Sequence, residues 1–275
     1  MFLFGAGVYL AVFASPDLCR ALSPQLRRAA IGASLIAFVS ALAWLAMEAA
    51  SMSDDWSAAV DTDVLRDVLA STAFGAVWQG RLALGLVTIL ALVVTRAGNW
   101  RAPTLLAGLW LASLGLVDHA AMQGGGVGLA HRVNDAVHLL TAGGWLGGLL
   151  PFSMCLESDA ARTHPSAASV AMLRYSAVGH FAVVLIVATG AVNVALTTHA
   201  VPWPLSSPYR ALLTAKIGVV LLMIALAIVN RYVLLPAVDD APCAARTLKT
   251  FALVELGLAL AAVALVSYFG LLDPA

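Results

Sequence analysis

The sequence predicts an all-α membrane protein, a single bundle of about eight transmembrane helices with both termini on the periplasmic side. Three observations carry that prediction. Of 275 residues, 61% are hydrophobic and only 11% are charged, against about half and about a quarter in a soluble domain. The mean hydropathy is +0.93, more apolar surface than a water-soluble fold of this size can hide. The apolar residues fall into runs approaching the ~20 residues that cross a bilayer core, and the basic residues alternate from one set of connections to the other.

The runs follow one another with short breaks. The first extends from Met1 to about Ser15 and the second from about Arg28 to Ala50. The third covers Gly80 to Thr95, the fourth Pro103 to Ala121, the fifth about Val133 to Leu156 and the sixth about Leu173 to His199. Tyr209 to Leu235 forms the seventh and Leu248 to Leu271 the eighth. The first run lacks a basic leader and a small-residue cleavage site, so it reads as a membrane helix rather than a removable signal. It is short for a crossing, so either it tilts little or the true start lies upstream.

Charge sets the orientation. Arg20, Arg27, Arg28, Arg96, Arg101, Arg162, Arg174, Arg231, Arg246 and Lys249 flank one set of connections, while Arg66, Arg81, Arg132 and Arg210 flank the other. The positive-inside rule makes the richer side cytoplasmic and puts both termini outside, in the periplasm of a bacterium. The whole chain, residues 1–275, reads as one integral membrane domain. Its longest outer loop, residues 51–79, carries Asp54, Asp55, Asp61, Asp63 and Asp67, with Val60, Val64, Leu65, Val68 and Leu69 at helical spacing. An amphipathic helix at the outer surface fits that pattern, and its acidic residues read as a solvated face or as a cation-gathering one.

Composition also excludes functions. Fifteen basic and fifteen acidic residues give zero net charge, which leaves no nucleic-acid footprint. Cys19, Cys155 and Cys243 are far apart, lack CxxC spacing and lie near cytoplasmic helix ends, so they read as reduced thiols. No phosphate-binding loop, HExxH or GxSxG occurs; the chain reads as a carrier rather than an enzyme.

Ionisable groups inside a membrane are costly and default to functional candidates. His119 ends the fourth span on the outer side, His131 opens the fifth, and His138 follows with Asp135 between them. Positions 131, 135 and 138 share one helical face. His199 closes the sixth span on the same side; Met122 lies one turn after His119, and Met47 with Glu48 ends the second span. Imidazole, thioether and carboxylate together form a donor set suited to copper as Cu(I) or Cu(II). A second group, His180, Glu255 and Asn230, lies nearer the cytoplasm at matching depth and reads as an inner polar station, an exit site or a structural His–Glu pair. Lys216, in the outer half of the seventh span, either repels a cation, pairs with a carboxylate such as Glu48 or takes part in proton coupling. Gly143, Gly144, Gly147 and Gly148 give two overlapping GxxxG phases around Trp145, which allow another helix to approach closely.

The run from His138 to Leu149, His-Leu-Leu-Thr-Ala-Gly-Gly-Trp-Leu-Gly-Gly-Leu, resembles the HLLxAxxWxGGL signature of the copper resistance protein D (CopD) family. Arg174-Tyr175-Ser176 leading to Thr189-Gly190 resembles that family's following helix, and Tyr209 to Lys216, Asn230-Arg231 and Pro236 resemble the next. Asp118-His119-Ala120 is similar to a GHA-type element with Asp in place of glycine. The resemblance covers His119 to Leu271 in motifs and the first three spans in hydropathy. It implies a multi-pass inner-membrane protein that transports copper from periplasm to cytoplasm beside a separate periplasmic copper-binding C protein. Two other readings of the residues stay open: a b-type haem protein with paired intramembrane histidines as axial ligands, and an assembly protein whose histidines are incidental.

Overall fold

The computed structural model describes residues 1–96, 98–117, 124–157, 163–198, 207–238, 242–269 and 272, and among them every regular element is a helix. Helix α1 (Phe2–Val8) widens into a π-turn, Tyr9–Phe13. Then come α2 (Pro16–Ser53), α3 (Thr62–Ser71), α4 (Ala73–Val94) and α5 (Arg101–Ala112), the last ending in a 3-10 turn, Ser113–Leu116. The remaining helices are α6 (Gly125–Glu157), α7 (Pro165–Thr198), α8 (Pro208–Val229) and α9 (Pro242–Phe269). Helix α8 runs on through a π-turn, Asn230–Leu234, and a 3-10 turn, Leu235–Ala237.

Six of these, α2, α4, α6, α7, α8 and α9, are long and apolar enough to cross a membrane. Within the first and fourth expected spans the described helices are short: α5 has 12 residues and rises about 18 Å before its 3-10 turn, against a hydrocarbon core of about 30 Å. Both lie against the rest of the protein. Leu3, Ala6, Tyr9 and Leu10 are buried, α1 packs on α5 and α6, and α5 is held between α1 and α4. The connection between the first two spans is helix as well, because α2 starts at Pro16 with the Ser15 side chain as its N-cap and Asp17 in its first turn. Serine at the N-cap, proline just inside and an acid beside the positive end of the dipole all favour a helix start there.

Contacts between neighbours fix their directions. Trp78 Nε1 donates to the Ala41 carbonyl at 3.1 Å. At the other end of the same pair, Arg27 donates to the carbonyls of Leu92, Thr95 and Arg96 and to Thr95 Oγ1, so α2 and α4 are antiparallel. Asn134 meets Asn193 while Tyr175 Oη donates to the Trp145 carbonyl, so α6 and α7 are antiparallel too. Asn230 bonds Glu255, and Tyr209 and Leu213 pack with Leu265, which sets α8 against α9 in the same way. The helix ends therefore sort into two groups. Arg20, Arg27, Arg28, Arg96, Arg101, Arg174, Arg231, Arg246 and Lys249 lie at one end, called below the basic end.

Two arginines serve as helix C-caps. Arg27 satisfies the last carbonyls of α4. Buried Arg81 donates to Ser113 Oγ at 2.6 Å and the Trp110 carbonyl at 3.3 Å, with its guanidinium 5.0 Å from the Trp78 ring. A cation at that position complements the negative end of the helix dipole.

In the outer loop, Asp61 caps α3 by accepting from the N–H groups of Asp63 and Val64. Helix α3 presses Val68, with Val64, Leu65 and Leu69, onto Ala41, Leu45, Ala49 and Trp78. Asp54, Asp55, Asp61, Asp63 and Asp67 all point to solvent. The Ser57 hydroxyl and N–H donate to Asp55 and hold its carboxyl below the ordinary carboxylate value.

The glycine stripe of α6 receives α1. A Cβ on Gly147 would stand 2.7 Å from the Met1 carbonyl oxygen and 2.9 Å from the Gly5 Cα, and one on Gly5 would stand 2.3 Å from the Gly143 carbonyl oxygen. These are backbone atoms, which cannot rotate away, so only glycine permits the approach. A Cβ on Gly144 would meet only the Phe4 side chain of α1, at an ordinary contact distance of 3.8 Å from Cε1. Gly147→Ala should lower the thermal-unfolding midpoint of the detergent-purified protein, by an overpacking cost of about 1–3 kcal/mol, and Gly144→Ala should not. Equal midpoints for the two variants would refute the close α1–α6 contact.

A candidate metal site in a polar layer between two helices

Helices α6 and α7 are apolar along most of their length, yet each carries polar residues at one level. Asn134 and His138 are four residues apart on α6, as are Thr189 and Asn193 on α7, so each pair shares one helix face. The antiparallel pairing sets 134 opposite 193 and 138 opposite 189. Asn134 Nδ2 donates to Asn193 Oδ1 at 2.6 Å and to the Thr189 carbonyl at 2.9 Å. Asn193 Nδ2 donates to Asp135 Oδ1 at 3.0 Å. His138 Nδ1 lies 2.9 Å from Thr189 Oγ1. Buried polar groups cost free energy unless paired, and here they pair with one another across the helix interface.

The network assigns the histidine tautomer. The Thr189 hydroxyl gives its one proton to the Leu185 carbonyl at 2.6 Å, so toward His138 it acts as acceptor. The neutral imidazole therefore carries its hydrogen on Nδ1 and keeps the lone pair on Nε2. A metal-binding histidine is usually oriented in this way, by a hydrogen bond from its other ring nitrogen. Gly190 leaves room beside the ring, since a Cβ there would stand 3.4 Å from His138 Cε1. Gly115, in the 3-10 turn after α5, backs onto Asp135, where a Cβ would lie 3.1 Å from Oδ2. Lys216 of α8 is close enough for its charge to act on His138.

Of the expected outer ligands, the structure places His131, Asp135 and His138 on one face of α6, with His131 buried one turn before Asp135. His119, Met122 and His199 lie outside the described residues. Met47 is 51% exposed on α2. Among the described residues no three of His, Cys, Asp and Glu converge as a metal cage would require. Cys19, Cys155 and Cys243 are free thiols.

The inner group separates. Asn230 Nδ2 and Glu255 Oε1 meet at 2.5 Å, both buried. His180 points away from them: its Nε2 is 2.7 Å from the Tyr232 hydroxyl, with the two rings edge to face.

Asn134, Thr189 and Asn193 did not figure as site candidates in the sequence. Their signal was present as pairs of hydrogen-bonding residues one turn apart in apolar helices, but amides and hydroxyls draw less attention than histidines. Only the pairing of α6 with α7 shows that they hold Asp135 and His138 in place.

The chain matches a family model described as Copper resistance protein D-like, N-terminal domain, over residues 1–129, and one described as Copper resistance protein D over residues 169–269. It is similar to inner membrane protein YebZ of Escherichia coli (strain K12), 32% identical over 236 residues, which cover 86% of this chain and 80% of the relative. Copper resistance protein D of Pseudomonas syringae pv. tomato is 31% identical over 267 residues, covering 91% of this chain and 84% of the relative. No solved structure matches the chain.

Thr189→Val removes the acceptor that fixes the ring. Nitrogen NMR of the imidazoles should show His138 as the Nδ1–H tautomer in the wild type and as a mixture in the variant. A wild-type His138 protonated on Nε2 would contradict the network.

Proposed function

Since this chain belongs to the copper resistance protein D family, we propose that it is an inner-membrane copper permease that passes the ion from periplasm to cytoplasm, with His138 as the ligand that takes it up. The observation that carries this reading is the His138 imidazole in the polar layer, its Nδ1 bonded to Thr189 and its ring bordered by Gly190. A neutral imidazole nitrogen binds copper in either oxidation state. The Asp135 carboxylate, one turn away, supplies the negative charge that offsets Lys216 and the arriving cation.

The basic end of the bundle faces the cytoplasm by the positive-inside rule. The polar layer lies toward the opposite end, where a periplasmic ion arrives first and where a separate periplasmic copper-binding C protein would deliver it. His119, Met122 and His199 belong by sequence to the same outer level and complete the donor set that this reading requires. Copper is the cargo and leaves unchanged, so no bond-making chemistry is asked of the protein.

The test is copper uptake into proteoliposomes by the wild type, His138→Ala and Thr189→Val. Loss of a ligand should lower uptake at limiting copper to background. Loss of its orienting partner should weaken copper affinity by about 10- to 100-fold, the usual cost of removing such a group. Uptake by His138→Ala at the wild-type rate would end the proposal.

A further inference from the structure

Among the described residues Glu255 is the one carboxylate that the fold buries almost completely, at 1% exposure, in the middle of α9. Its side chain makes one hydrogen bond, to Asn230 at 2.5 Å. Among the described residues no Lys, Arg or His stands within ion-pair distance of Glu255, whose one polar partner is Asn230. The group that faces it from α7 is Tyr175, whose hydroxyl already donates to the Trp145 carbonyl. Around Tyr175 pack the rings of Tyr9, Phe13 and Phe152, at centroid distances of 5.2, 5.8 and 5.7 Å. Tyr9, in the π-turn after α1, and Cys155 of α6 bond to each other. From α8, Asn230 is neutral, and Arg231 beside it reaches the Leu173 carbonyl.

An ionised carboxylate in such a place would lack both water and a counter-charge, and a buried acid so situated neutralises itself by keeping a proton. One detail agrees. The 2.5 Å contact is short for N–H···O but within the range of O–H···O, so it fits a carboxyl O–H donating to the Asn230 amide oxygen, with the two amide atoms interchanged. Asn230 also opens the π-turn of α8. Such wide turns recur where a helix has a functional irregularity.

We propose that Glu255 is a proton-carrying residue: its carboxyl is loaded with a proton in this conformation and exchanges it with water when α8 moves at the Asn230 π-turn. On unloading, the Oε–H bond breaks, the electron pair stays on the carboxylate, and the proton passes to water at the basic end; reloading reverses this. Given the permease reading on which it rests, this exchange ties copper movement to the proton gradient, with one proton carried per cycle.

Two measurements test it, one of them independent of copper. Infrared spectra of the wild type at neutral pH should contain a protonated-carboxyl C=O band that shifts in D2O and is missing from Glu255→Gln, a near-isosteric change. The absence of that band in the folded wild type would overturn the proposal. In proteoliposomes, wild-type copper flux should change when a pH difference is imposed, and that response should be lost in Glu255→Gln. A variant that responds as the wild type does would overturn the coupling. A wild type that shows the band but moves no copper would defeat the permease reading and leave the proton-carrying carboxyl standing.

Discussion

A bilayer offers no water to a stranded polar group, so a polar side chain must find its partner on its own helix or on a neighbouring one. That constraint shapes the outer half of the bundle. Asn134, Asp135 and His138 would be liabilities on an isolated α6, and Thr189 and Asn193 would be on an isolated α7. Joined, they form one hydrogen-bonded layer that fixes the register of the two helices. The same layer determines which nitrogen of His138 stays open. Packing and ligand chemistry here have a single cause, because the bonds that make the helix pair stable also aim the imidazole.

The rest of the fold supports this pair. Helix α1 lies in a groove that only glycine backbone can form, against Gly143 and Gly147 of α6. Arg81 caps α5 and so holds the Ser113–Leu116 turn, whose Gly115 backs onto Asp135. Nearer the basic end, Tyr175 links α1, α6 and α7 through its ring contacts and its bond to the Trp145 carbonyl. An aromatic cluster of this kind fills the centre, and its two buried hydroxyls, of Tyr9 and Tyr175, are met by Cys155 and the Trp145 carbonyl. Glu255 and Asn230 interrupt that apolar centre.

Hydropathy and charge made much of the bundle legible in the sequence, because lipid imposes strong rules on both. The long helices α6 and α9 fall where the apolar runs do, and the GxxxG phases marked the face that another helix approaches. The short helices α1 and α5 are different. Their shielding by neighbours is a tertiary fact, and no window of hydropathy reveals that a span sits inside other spans. The face shared by His131, Asp135 and His138 followed from helical periodicity, whereas the amides that hold it needed the α6–α7 pairing to become visible. His180 shared the depth of Glu255 in the sequence but not its direction. Its bond to Tyr232 depends on how α7 is rotated, and a near-uniformly apolar helix gives no clear moment from which to read rotation.

The central claim is that His138 presents Nε2 to a copper ion within the α6–α7 layer. X-ray absorption at the copper edge tests it most directly, on copper-loaded protein of the wild type and of His138→Ala. The account predicts the outer-shell scattering of a coordinated imidazole in the wild type and a loss of part of that scattering in the variant. Identical spectra from the two proteins, at equal copper content, would contradict it.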